Sequence, residues 1–138
     1  QRCAQELQSR LTDATGTAAT PGDKLEALIR GVFDFFGDRP TSCTYLLSNR
    51  SENEGGNGQV STDWPPPLGF FVEVIEEGQK QGGFQDEAAP LLAGWILAMV
   101  QRTVLFLKAG TLDVSRASAI DRTVHGALRL VAANIDTD

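Results

Sequence analysis

The sequence predicts an all-α fold of about six helices, and three observations carry that expectation. Apolar residues recur at helical spacing in five separate segments. Helix starts and stops punctuate those segments, at Thr20-Pro21, Gly37, Gly82-Gly83 and Gly110. No pair of alternating apolar runs flanks a hairpin turn. The chain of 138 residues fits one domain, and it is long enough to bury a real core. An apolar fraction of 41% with 22% charged residues excludes a disordered or collagen-like chain.

In residues 1–13, Ala4, Leu7 and Leu11 share one helical face. No capping residue precedes this helix, and no initiator Met is present. Residues 1–13 are therefore expected to be the rear of a longer helix. Residues 14–20 are small and polar and suit a loop. Thr20 is placed to cap the next helix, with Pro21 in its first turn and Asp23 near the positive end of its dipole. Leu25, Leu28, Ile29, Val32, Phe33 and Phe36 then form one wide stripe over 21–37. Gly37 fits a C′ stop, with Pro40 just beyond it.

Residues 40–48 read as a short helix carrying Tyr45, Leu46 and Leu47. Residues 48–67 begin with a long run free of apolar side chains and predict a mobile loop, closed by Trp64 and three stiff prolines. In 68–81, Phe71, Val74, Ile75 and Gly78 face one way, while Glu73, Glu76, Glu77 and Lys80 mark the wet side. Gly82-Gly83 ends that helix, Phe84 anchors the turn, and Asp86 is a plausible cap for the next one.

Residues 87–109 form the longest predicted helix. Its apolar side chains cover most of the circumference, so it must be buried on nearly every side. The core of a chain this small covers one side. The other needs a partner, most simply a second copy. Residues 115–135 form the last helix, with Ile120, Val124, Ala127, Leu128, Val131 and Ile135 in its stripe. Ser118, Gly126 and Ala133 permit close approach.

Charge and composition narrow the chemistry. Twelve Lys and Arg against 18 Asp and Glu give a net charge of −6, which makes a poor stand-alone nucleic-acid binder. Cys3 and Cys43 form no disulfide framework and are expected to be reduced thiols. No segment reads as a signal peptide, and the longest apolar run, 91–100, is shorter than a bilayer span, so no membrane role and a cytoplasmic location are expected. His125 is the sole histidine, so no metal site is expected. No nucleophile elbow, P-loop or dinucleotide fingerprint occurs, so neither a catalytic residue nor a cofactor is expected. Glu73, Glu76 and Glu77 read as a solvated face rather than paired acid/base carboxylates.

The aromatic residues are more informative. Phe33, Phe36, Tyr45, Trp64, Phe70, Phe71, Trp95 and Phe106 fall on or beside apolar faces. Singly they are ordinary core. Together they suit the wall of a largely apolar cavity, with Met99 as an adaptable filler. Arg102 is the one charge within the long apolar helix. It either holds an anionic group in the pocket, pairs with an acid, or reaches a subunit edge. Gln101 and Thr103 add hydrogen-bonding groups nearby.

The order of the pieces resembles the C-terminal, ligand-binding half of the TetR family of transcriptional repressors. The resemblance rests on 21–29 (PGDKLEALI), on 34–40 (DFFGDRP), on 74–84 (VIEEGQKQGGF) and on the long apolar helix followed by an amphipathic one. It implies that residues 1–13 end a helix connecting to an absent helix-turn-helix head, through which alone operator DNA is contacted. It further implies that the last two helices build a four-helix bundle with a second subunit, and that an effector pocket lies among the middle helices. The long, Gly-rich 48–67 segment departs from the family pattern.

The expected dimer-facing residues are Leu92, Ile96, Val100, Val124, Leu128 and Val131. The expected effector contacts are Phe33, Phe36, Tyr45, Trp64, Phe70, Val74, Trp95, Met99, Arg102 and Thr103. The expected function is a homodimeric regulatory domain that binds a small, largely apolar or aromatic effector. The competing expectation is a stand-alone helical protein that sequesters a hydrophobic compound. An enzyme built on a helical bundle is the weakest.

Overall fold

The computed structural model describes residues 2–37, 39, 64 and 67–133. Five helices occur among them: α1 (Arg2–Gly16), α2 (Pro21–Gly37), α3 (Leu68–Lys80), α4 (Ala89–Ala109) and α5 (Arg116–Val131). The all-α class is as the periodicity predicts. The short helix expected at 40–48, most of the loop expected at 48–67, and Tyr45, Cys43 and Ile135 lie outside the described residues.

α2 sits at the centre, because its apolar stripe is wide enough to be shared. It packs against α1, α3, α4 and α5, whereas α1 leans chiefly on α2. Leu7 and Leu11 of α1 are fully buried beside Leu25, Leu28, Ile29, Val32, Phe33, Phe35 and Phe36 of α2. The Phe35 and Phe36 rings meet edge to face, 4.9 Å between centroids, the arrangement ring quadrupoles favour. Phe71 and Ile75 of α3 and Leu92, Ile96 and Val100 of α4 complete the same core.

The helix ends follow from local chemistry, with some corrections. The Asp23 amide donates to Thr20 Oγ1 at 3.0 Å, so Thr20 caps α2 as expected. The Ser118 amide donates to Ser115 Oγ at 3.1 Å and starts α5 in the same way. Gly82 (φ 87°) and Gly110 (φ 70°) adopt the left-handed conformation that closes α3 and α4. Gly37 does end α2, but it is not among the glycines of positive φ. Its small size matters instead: a Cβ there would lie 2.7 Å from Arg116 Nη2.

Asp86 does not cap α4. The cap residue is Ala88, with no side-chain bond, and Pro90 supplies the pre-set first turn. α1 runs to Gly16, beyond the loop expected from residue 14. α5 stops at Val131, short of residue 135. There the backbone extends and pairs with the turn after α3. Gln85 N donates to Val131 O (2.8 Å), Ala133 N donates to Gly83 O (3.1 Å), and Phe84 and Ala132 form an isolated antiparallel bridge. Such pairing across distant segments is invisible to periodicity.

Cys3 is disulfide-bonded, which corrects the reduced-thiol expectation. Ion pairs tie α2 to its neighbours. Lys24 Nζ meets Glu77 at 3.0 Å, and Arg30 bridges Glu26 (2.9 Å) and Asp121 (2.8 Å). Glu77 is thus a bridge between α2 and α3, while Glu73 and Glu76 face solvent as expected.

Candidate effector cleft and exposed helix face

α4 presents two different faces. Ala89, Leu92, Ala93, Ile96, Leu97, Val100 and Val104 are buried against the rest of the chain. Leu91, Trp95 and Phe106 point outward at 42%, 47% and 39% exposure, with Ala98 and Arg102 also exposed between them. The spacing 91, 95, 98, 102, 106 keeps these side chains on one arc of the helix. The Arg102 guanidinium lies 5.9 Å from the Phe106 ring centre, so its charge rests on that outer face and not in a pocket.

The expected dimer-facing residues do not lie on that outward arc. Leu92, Ile96, Val100, Val124 and Val131 are buried in the protomer's own core, and Leu128 is half-buried. On a helix apolar all round, periodicity cannot tell which arc the fold has claimed. By length and composition α4 is also long and apolar enough to cross a membrane. The apolar run 91–100 understates it, because Val104, Leu105 and Leu107 extend the character. Its inner arc packs on α2, α3 and α5.

A cleft of about 380 Å³ opens where the C-terminal ends of α2 and α4 meet the start of α5. Phe33, Phe36 and Val104 form its sealed floor. Phe106, Leu107, Leu112 and Val114 are the accessible apolar walls, and Lys108 and Arg116 stand at its rim. Lys108 Nζ donates to the Arg39 carbonyl at 2.8 Å, and Arg116 Nη2 donates to the Phe33 carbonyl at 2.9 Å. α2 has no basic residue in its own last turn. Arg116, from α5, reaches the last turn of α2 through the Phe33 carbonyl, and Lys108, from α4, reaches the chain just beyond it, both near the negative end of α2. A more polar depression bounded by Arg10, Asp34, Gly37 and Arg116 adjoins the cleft.

Of the expected effector contacts, Phe33 and Phe36 line this cleft. Tyr45 lies outside the described residues, and the other expected contacts are not gathered there. Val74 is buried and Phe70 half-buried in α3, and both belong to the core or its edge. Trp64 and Trp95 are exposed. Met99 packs toward Gly126 of α5, and Thr103 spends its hydroxyl on the Met99 carbonyl at 2.7 Å. The unforeseen members are Val104, Leu107, Lys108, Leu112, Val114 and Arg116. Arg116 carried a signal: a cation in the first turn of a helix opposes that helix's dipole, so it is best explained by a second helix end nearby. Among the described residues no group of His, Cys, Asp and Glu is placed to hold a metal ion.

No protein-family model matches the chain, and no solved structure matches it. An 86-residue alignment, covering 56% of the chain, is 35% identical to the Rho GTPase-activating protein gacHH of Dictyostelium discoideum. The chain spans 6% of that protein's length, a match too partial to place it in a family.

Proposed function

We propose that this chain is the dimerising, effector-sensing regulatory domain of a TetR-like transcriptional repressor. The observation that carries the reading is the outward arc of α4. A long core helix that leaves Leu91, Trp95 and Phe106 exposed has a second apolar face to cover. A second copy covers it most economically, since a two-fold axis sets the same arc against itself and α5 flanks α4 in each protomer. The bundle so formed joins α4 and α5 of both copies. The order of the helices agrees with this assignment.

In this reading α1 leads to a helix-turn-helix head that reads operator DNA, and the acidic domain itself leaves DNA alone. The cleft at the end of α2 takes the effector, a small and mainly apolar molecule. Its influence on the heads equals its preference for one arrangement of α1 over another. The protein works in the cytoplasm.

Sedimentation velocity at micromolar concentration tests the reading. The expected species is a dimer. Trp95→Lys, at the middle of the arc, is expected to weaken it by about thirtyfold or more, the loss typical of a central aromatic anchor. It should leave the helical circular dichroism unchanged. A monomeric wild-type chain would overturn the proposal.

A further inference from the structure

We propose that the cleft between the ends of α2 and α4 and the start of α5 is built for an amphipathic anion. Its apolar body lies on Leu107, Leu112 and Val114, and its carboxylate meets Lys108 and Arg116. This assignment deepens the sensor reading by naming the class of effector.

The charge distribution carries it. The chain is acidic, with a net charge of −6. Yet the lining of this cleft carries two cations, Lys108 and Arg116, and among the described residues no carboxylate. Arg10 and Arg39 flank the Phe35 ring, with guanidinium carbons 6.0 and 4.3 Å from its centre. Lys108 and Arg116 reach the adjacent carbonyls of Arg39 and Phe33. The carboxylates near them among the described residues include Glu6, Asp34 and, between Leu112 and Val114, Asp113. Glu6 is taken by Arg39 at 2.8 Å, and the exposed Asp34 lies 3.9 Å from Arg116. The negative end of α2 offsets part of the positive charge, roughly half a unit charge. The cleft lining itself keeps its two cations at the rim beside the apolar walls.

The donors are in surplus. An ammonium has three N–H groups and a guanidinium five. Lys108 gives one hydrogen bond to Arg39 O, and Arg116 gives one to Phe33 O. A carboxylate at the rim finds charge-assisted donors without any change of fold. A cationic ligand meets repulsion at the same place, and a neutral one gains only the apolar contact.

The position also suggests how the ligand is felt. Drawing Lys108 and Arg116 toward a carboxylate slackens their hold on the last turn of α2 and the chain just beyond it. Lys108 holds Arg39, two residues past α2, and the partner of Arg39, Glu6, belongs to α1. The effector thus acts on the helix that leads out of the domain through one short chain of polar contacts.

Equilibrium dialysis of the whole chain against decanoate, decanol and decyltrimethylammonium tests the assignment. Decanoate is expected to bind at least tenfold more tightly than decanol, and the cation least. Lys108→Gln keeps a donor for Arg39 O and is expected to cost decanoate about tenfold, the worth of one charge-assisted hydrogen bond, while leaving decanol unchanged. Leu112→Ser, on the apolar wall, is expected to weaken decanoate and decanol alike. Equal binding of decanoate and decanol, no binding of either, or a Lys108→Gln variant that binds decanoate normally would overturn it. The dimer is measured separately without ligand. A dimer indifferent to decanoate refutes the anion site alone, and a monomer that binds decanoate refutes the dimer alone.

Discussion

At the scale of single residues, two glycines of helical backbone separate local preference from packing. Gly78 lies within α3, and a Cβ there would overlap the ring of Phe84, whose amide is bonded back to the Gly78 carbonyl at 3.2 Å. The ring cannot retreat without breaking the turn. Gly78→Ala is therefore expected to destabilise by about 1–2 kcal/mol despite the better helix propensity of alanine. Gly22, in the first turn of α2, has open space where its Cβ would be. Gly22→Ala is expected to stabilise by about 0.5–1 kcal/mol. Paired thermal melts check the opposite signs. Nothing in the sequence distinguishes these glycines, because the difference depends on what the neighbouring turn brings against them. Arg30 is the one described group whose titration is clearly displaced. Donating to Asp121 and then to Glu26 holds its pKa above the ordinary value. A raised cation contributes stability that is lost only as pH climbs through that elevated value, so Arg30 adds no pH dependence near neutrality.

At the scale of elements, the helices with one apolar stripe were legible and the helix with two was half legible. α2 begins and ends where Thr20-Pro21 and Gly37 place it, because a single stripe and a good cap leave no alternative. For α4 the sequence announced two dry faces but not their register, and the inner arc proved to contain Leu92, Ile96 and Val100. This difference is measurable. Ile96→Ala is expected to cost about 2–5 kcal/mol of folding stability, as a fully buried truncation does. Trp95→Ala, on the outer arc, is expected to cost the isolated fold under about 1 kcal/mol while weakening self-association. Denaturant unfolding read beside sedimentation separates the two effects. The cleft was barely legible, since its walls come from three segment ends that only the tertiary fold brings together.

At the scale of the whole molecule, α2 touches every other described helix while α1 rests chiefly on α2. Removing α2 dissolves the core, whereas lifting α1 uncovers Leu7, Leu11 and the flank of α2 that they shield. Opening free energy is then graded along the chain. Amide hydrogen exchange is expected to be slowest in the middle of α2, where protection reports global unfolding, and faster in α1, whose burial rests chiefly on one neighbour. Uniform protection of both helices would contradict this hierarchy. Because Cys3 is disulfide-bonded and Leu7 and Leu11 are sealed against α2, any swing of α1 is a tethered one. Such a leash returns the segment to the same seat each time it loosens.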